Sequence, residues 1–138
     1  MAFKLDKKPY YKLPVTCSTS ADNGLQESES FIAYIARLPQ DRIDEISEKS
    51  IRRYTQIKHG QKPDEDVAEY TYFYVADEIL VGWEEITVNG EDIPFTASTK
   101  EEFLKSEGVA TAIVNAWIQS KNADTAKKPT SKKSRGIG

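Results

Sequence analysis

The sequence predicts an α+β fold in which an N-terminal β-hairpin precedes a mainly α-helical body, with a disordered basic tail at the C-terminus. Between residues 9 and 38, apolar residues alternate on either side of a turn signal, whereas from residue 40 onward they recur at helical spacing. After residue 122 the chain is rich in Lys, Ser, Thr and Pro and has little to bury. We therefore expect one α+β domain over residues 1–122 and a disordered tail over residues 123–138.

Composition and charge agree with a soluble domain that has a modest core. The chain has 138 residues, enough to bury a core without a disulfide or metal staple. Residues 1–124 carry 14 basic and 22 acidic side chains, a net charge of −8, whereas the rest of the chain carries five basic side chains and no acidic one. The single cysteine, Cys17, cannot form an intramolecular disulfide, which suits the cytosol. No run of about 18 apolar residues predicts a membrane span.

The N-terminal residues are expected to form the hairpin. β-Branched residues alternate with polar ones over residues 9–20, and Pro14 restricts this strand to a sheet edge or a strand start. Residues 22–24, Asp-Asn-Gly, are typical of a tight turn. The second strand, Glu29 to Leu38, is apolar on both faces, so other elements should cover it.

A long amphipathic helix is predicted from Gln40 to about Lys58. Acidic residues cluster early and basic residues late, which complements the helix dipole, and Gly60 provides a stop. Its expected apolar side consists of Ile43, Ile46, Tyr54 and Ile57.

The next segment gives conflicting signals. Residues 70–75, Tyr-Thr-Tyr-Phe-Tyr-Val, favour a strand by intrinsic propensity. Apolar residues nevertheless recur at roughly helical spacing over a longer stretch. We predict a helix from about 65 to 86 with Asp64 as its N-cap, and we expect Gly82 inside it to serve close packing.

Three shorter elements should complete the body. Residues 89–90, Asn-Gly, mark a tight turn with short flanking strands. Ser98 and Glu101 fit the spacing of a capping box at the start of a short helix that ends at Gly108. A last amphipathic helix is predicted from Val109 to about Ser120.

The chain is poorly supplied with catalytic groups. His59, the only histidine, is expected to lie at a helix end, where it suits the last carbonyl groups. The acidic clusters lack the ligand spacing of a calcium loop, and two of them fall where helices should begin. We therefore predict a binding protein without catalytic, cofactor or metal sites. The residues chosen as candidates for a partner interface are Trp83, Phe95, Ile113 and Trp117, for which burial in the core is the main alternative.

The central motif resembles that of a known family. Residues 79–86, Ile-Leu-Val-Gly-Trp-Glu-Glu-Ile, and residues 89–96, Asn-Gly-Glu-Asp-Ile-Pro-Phe-Thr, resemble the core "vLVGWegv…dGxpvPFs" of tail assembly chaperones from bacteriophages with long, non-contractile tails. Residues 31–38 resemble the "FtaxfkRL" strand of that family, and residues 108–113 resemble its "pGVaxAi" helix. The match is collinear over about residues 3–120. Glu85 departs from it, because the family often has a small residue there.

This resemblance implies a role in assembly. Such proteins bind the tape measure protein, keep it soluble and help to recruit the major tail protein in the host bacterial cytoplasm, and they are absent from the mature virion. Many have a longer product made by a translational frameshift, and slippery codons for Lys127-Lys128 or Lys132-Lys133 would fit this hypothesis. Self-association into a homo-oligomer is also expected.

Two other classes of protein remain as alternatives. The basic tail fits a small regulatory protein that binds nucleic acid, although the tail lacks aromatic residues for base stacking and follows an acidic body. Binding that weakens steeply with salt and depends on residues 125–138 would favour this alternative. An enzyme is disfavoured because no nucleophile–base pair or metal cluster is recognisable in the sequence.

Overall fold

Five β-strands and four α-helices follow one another along residues 8–126, the part of the chain that the computed structural model describes. They are β1 (Tyr10–Ser20), β2 (Gln26–Ala36), α1 (Gln40–Lys58), α2 (Tyr72–Ile79), β3 (Leu80–Glu84), β4 (Thr87–Val88), β5 (Glu91–Asp92), α3 (Ala97–Lys105) and α4 (Val109–Ala126). The predicted α+β fold, with an N-terminal hairpin before a mainly helical body, is confirmed. Of the predicted disordered tail, residues 127–138 lie outside the described residues, whereas α4 continues six residues beyond its predicted end at Ser120.

β1 and β2 form the predicted hairpin, with Tyr10 opposite Ala36 at one end and Ser20 opposite Gln26 at the other. In the turn Gly24 has a φ of 84°, which glycine adopts without steric cost. β3 pairs antiparallel with the other side of β2, so the sheet order is β1-β2-β3. Pro14 therefore lies in an edge strand, as its missing N–H predicts.

The core lies between one face of this sheet and the helices α2 and α4. Side chains that point to this face alternate along the strands, and the helices bury one side each. The core includes Val15, Phe31, Ile35, Val75, Ile79, Leu80, Ile113 and Trp117. The sequence also predicted that other elements cover the second apolar face of β2, and on that face the side chains are only partly covered. Ile32, Tyr34 and Ala36 are half-buried there, and the Tyr34 ring stacks on Tyr10 with 4.7 Å between the ring centroids.

The predicted helix from 65 to 86 is wrong. Only residues 72–79 are helical, and the chain then enters strand β3. The helix begins where the Thr71 hydroxyl accepts a hydrogen bond from the Tyr74 backbone N–H at 3.1 Å. Gly82 lies opposite Tyr34 in the sheet, where a Cβ atom would come within 2.5 Å of Tyr34 Cδ2. The long-range pairing with β2 thus prevails over the local helical spacing, and Gly82 serves close packing in a strand.

Two predicted helix caps are also wrong. Asp64 precedes a run of turns, and its carboxylate accepts hydrogen bonds from Arg52 and Gln56 at 3.2 and 3.0 Å. At the start of α3 the capping box is formed by Thr96 and Thr99, two residues before the predicted pair. A threonine can replace glutamate there because the Thr99 hydroxyl accepts the Thr96 backbone N–H at 2.9 Å.

Helix α1 has the predicted bounds but buries only part of its predicted apolar side. Ile46 is buried and Ile43 half-buried, because segment 62–71 returns along the helix and Arg42 binds Glu78 and the Tyr70 hydroxyl. The second half of the helix is less covered. We use the name α1 stripe for three large side chains that it exposes, Ile51, Tyr54 and Ile57.

Candidate functional site

An apolar cleft of about 410 Å³ opens at the end of the sheet that carries the hairpin turn. Strand β3, the small β4–β5 hairpin, helix α3 and the start of α4 form its walls together with β1 and β2. Its floor consists of Cys17, Phe31, Trp83, Phe103 and Val109. Ile86, Val88 and Ile93 line the side formed by the small hairpin. A cleft of this size, with an aromatic floor, can take large apolar side chains.

Trp83 fixes the geometry of this cleft. Its indole Nε1–H donates a hydrogen bond to the backbone carbonyl of Ile93 at 2.8 Å. Its ring makes edge-to-face contacts with Phe95 and Phe103, with centroid distances of 4.8 and 5.2 Å. Phe103 in turn meets Phe31 edge-to-face at 5.0 Å. The indole therefore joins the sheet, the small hairpin and helix α3 through one buried side chain.

The small hairpin folds over the cleft through two backbone features. Glu85 has a φ of 69°, in the left-handed region that few residues other than glycine adopt, and turns the chain out of β3. Asn89 and Gly90 follow with φ values of 53° and 83°, which fits a type I′ turn and confirms the predicted tight turn. The Asn89-Gly90 turn is unstrained, whereas backbone strain such as that at Glu85 is frequent at functional sites.

The connection between α3 and α4 closes the cleft on the side of the hairpin turn. The Glu107 carboxylate accepts hydrogen bonds from the Ser20 backbone N–H at 3.1 Å and from the Ser20 hydroxyl at 2.9 Å. Gly108 has a φ of 75°, and a Cβ atom there would come within 3.0 Å of the Ser18 carbonyl oxygen. Glycine thus allows the close approach of this connection to β1, and a larger residue would force β1 to shift.

Carboxylates surround the opening. Glu29, Glu85 and Glu102, which we call the rim glutamates, line the cleft, and among the described residues no lysine or arginine does so. Within residues 8–121 none of the three forms an ion pair, although Glu29 accepts a hydrogen bond from the Thr19 hydroxyl at 3.0 Å. The cleft therefore combines an apolar floor with uncompensated negative charge at its edge.

The cysteine on the floor is not set up for nucleophilic chemistry. Burial raises the pKa of the Cys17 thiol above its usual value, and the carboxylates of Glu29 and Glu107 raise it further. The thiol stays protonated near neutral pH and is a weak nucleophile. His59 lies elsewhere, as the C-cap of α1, in agreement with its expected position at a helix end.

The four predicted interface residues fall into two groups. Trp83 lies on the floor of the cleft, whereas Phe95 does not line the cleft but packs edge-to-face against the Trp83 ring and is 36% exposed. The interface role stays a prediction for both residues. Ile113 and Trp117 are buried in the core under the sheet, which is the alternative that the sequence analysis left open for them, and their interface role stays a prediction. Their helical spacing reflects packing against the strands. The rim glutamates were not predicted as a site, because they come from three distant parts of the sequence.

Other kinds of site find little support over the described part of the chain. Residues 8–121 contain no group of three or more His, Cys, Asp or Glu side chains arranged to hold a metal ion. None of the described helices is long and apolar enough to cross a membrane.

In comparisons with known proteins, no protein family model, curated protein or solved structure matches the chain.

Proposed function

We propose that this chain is a phage tail assembly chaperone that binds the tape measure protein, keeps it soluble and helps to recruit the major tail protein. One observation carries the proposal. Residues 79–96, which bear the most specific part of the family resemblance, form the end of α2, then β3, the small hairpin and the segment with Phe95. They build one wall of the cleft and place Trp83 on its floor. The motif thus corresponds to a single structural unit with an apolar opening.

The chemistry of the surface suits such a chaperone. A tape measure protein is long and helical and exposes apolar side chains before assembly, so its chaperone must offer apolar contacts without aggregating. The cleft offers those contacts on a body whose net charge is −8 over residues 1–124, and this charge favours solubility. In this proposal the protein acts in the host bacterial cytoplasm and leaves before the virion is complete.

Recruitment of the major tail protein needs a second surface, because the client occupies the first. The α1 stripe supports this part of the proposal, since it exposes three large apolar side chains on an element that does not line the cleft. The same stripe is also available for self-association into a homo-oligomer.

Co-expression with the tape measure protein of the same phage tests the proposal. We expect the full chain to keep that protein in the soluble fraction and to co-purify with it. Val88 is 55% exposed and lines the cleft, so Val88→Ser should reduce the recovered client without unfolding the chaperone. Leu25 is 68% exposed at the hairpin turn and does not line the cleft, and Leu25→Ser is the matched control with unchanged recovery.

The proposal is wrong if the unmodified chain neither solubilises nor co-purifies the tape measure protein. Equal recovery with Val88→Ser and with the unmodified chain would leave the function in place but would remove the cleft as its site.

A further inference from the structure

Two of the three rim glutamates, Glu85 and Glu102, each follow a carboxylate that forms an ion pair while they themselves do not, and this difference points to a ligand. In the doublet Glu84-Glu85, the first carboxylate pairs with Lys12 at 2.6 Å, whereas Glu85 lines the cleft without an ion pair among the described residues. In the doublet Glu101-Glu102, Glu101 pairs with Lys105 at 2.7 Å, whereas Glu102 lines the cleft without one. In each doublet, a lysine therefore pairs with the carboxylate that does not line this cleft, and the carboxylate that lines it has no ion pair.

The floor beneath these carboxylates favours apolar rather than charged groups. Its aromatic rings and Val109 offer contacts to apolar groups only, apart from the weakly polar thiol of Cys17. A volume of about 410 Å³ lies near the lower end of typical ligand pockets, which span about 300–1,000 Å³. It is too small for a complete helix with its side chains, which is about 10 Å wide. The cleft therefore suits one or two large side chains from a segment that lies across its opening.

We propose that the cleft takes a basic amphipathic segment of a protein partner, with an apolar side chain on the aromatic floor and flanking lysine or arginine residues against the rim glutamates. The charge complementarity between such a segment and the rim selects this occupant over an acidic or neutral one. The identity of the partner as the tape measure protein rests on the proposed function, whereas the chemistry of the segment does not.

Binding of synthetic peptides to the full chain tests this proposal directly. The first probe is a twelve-residue peptide with two phenylalanines flanked by lysines, and the second has glutamate in place of every lysine. Titrations followed by amide NMR spectra should show shifts at cleft residues with the lysine peptide, and binding at least about tenfold tighter than with the glutamate peptide. The affinity for the lysine peptide should fall with salt.

A pair of matched triple variants separates the rim from the overall charge. The rim variant carries Glu29→Gln, Glu85→Gln and Glu102→Gln. The control variant carries Glu27→Gln, Glu65→Gln and Glu69→Gln, three exposed carboxylates that do not line the cleft. Both lose the same net charge. We expect the rim variant to bind the lysine peptide on the order of tenfold more weakly than the unmodified chain, and the control variant to bind within about twofold of it.

Several results would overturn the proposal. Equal affinity for the two peptides, or an equal loss in the two triple variants, would show that the rim does not select the ligand. Cleft amides that move when the basic residues after Ala126 are replaced by glutamine would name the chain's own C-terminal segment as the occupant. Cleft shifts that grow with protein concentration would name a second copy.

The peptide titration and the co-expression experiment can fail independently. If the lysine peptide binds at the rim but the tape measure protein is not captured, the proposed function is wrong and the inference about the cleft stands. If the tape measure protein is captured but the lysine peptide does not bind at the rim, the inference is wrong and the proposed function stands.

Discussion

The cleft and the α1 stripe both expose apolar side chains, but they differ in how their surroundings are built. Around the cleft, a hydrogen-bonded indole and the close approach of Gly108 to β1 hold the walls, and the rim glutamates have no ion pair within residues 8–121. Beside the α1 stripe, Arg52 forms ion pairs with Glu48 at 2.7 Å and Asp66 at 2.9 Å. Exposed apolar area alone therefore does not mark a site. Fixed walls, together with three carboxylates that have no ion pair around one apolar floor, distinguish the cleft.

Replacement of Trp83 at the cleft, compared with replacement of Tyr54 in the α1 stripe, should give the largest difference in the free energy of unfolding. Trp83→Ala removes a nearly buried indole, its hydrogen bond to Ile93 and two aromatic contacts, so we expect a loss of about 3–5 kcal/mol in the free energy of unfolding. Tyr54→Ala in the α1 stripe removes a side chain that is 53% exposed and should cost no more than about 0.5 kcal/mol. Urea unfolding of both variants measures this contrast, and similar losses would contradict it.

Substitution of Gly82 tests whether β3 is packed as described. In Gly82→Ala the new methyl group would meet the Tyr34 ring at 2.5 Å, so the ring must move from its stack on Tyr10. We expect a loss of about 1–3 kcal/mol in stability. In a Tyr34→Ala background the same substitution should cost clearly less. An unchanged cost in that background would mean that the clash is not the cause.

The cost of replacing a glycine by alanine can be compared between the two regions, because each region has a glycine with nearly the same φ value. Gly108 at the cleft and Gly60 after α1 have φ values of 75° and 76°, so alanine should cost about 1 kcal/mol at either position. Only at Gly108 would the new Cβ atom meet a backbone oxygen, that of Ser18, at 3.0 Å. Gly108→Ala should therefore be more destabilising than Gly60→Ala by about another 1 kcal/mol in thermal or urea unfolding. Equal losses of stability would show that β1 shifts at little cost to make room for the new Cβ atom.

The paired charges beside α1 should give the smallest effect on stability, one that is present at neutral pH and disappears in acid. Hydrogen bonds from Arg52 lower the pKa values of Glu48 and Asp66 below their usual values. Since the folded-state pKa values are the lower ones, their stabilisation is complete above about pH 4.3 and is lost as the pH falls through the folded-state values. Urea midpoints at pH 7 and pH 3 should therefore differ less in Arg52→Gln than in the unmodified chain. An equal difference would mean that these pairs do not contribute.

Local signals predicted much of the fold. The hairpin, the bounds of α1 and the Asn89-Gly90 turn depend on nearby residues, through alternation, capping and positive φ, and all three are confirmed. The helix from 65 to 86 was wrong because the strand character of Leu80–Glu84 depends on pairing with β2, which is more than 40 residues away along the chain. The spacing of apolar residues within this segment contains no information about its pairing with β2.

Of the residues that line the candidate site, only Trp83 was predicted from the sequence. It stands in one motif with Phe95, which packs on its ring, whereas Phe31 and Phe103 come from other parts of the chain. The rim glutamates belong to β2, the β3–β4 connection and α3, and only the fold brings them to one opening. Their lack of a partner is equally invisible in the sequence, because Glu84 and Glu101 have the same residue type and differ only in facing a lysine.

Hydrogen exchange of the full chain with and without the tape measure protein tests the central claim most directly. If the cleft is the client site, the client should slow exchange of amides over residues 83–95 and 102–109, and should leave residues 51–58 of α1 unchanged. Slower exchange confined to α1, with no change around the cleft, would contradict the account.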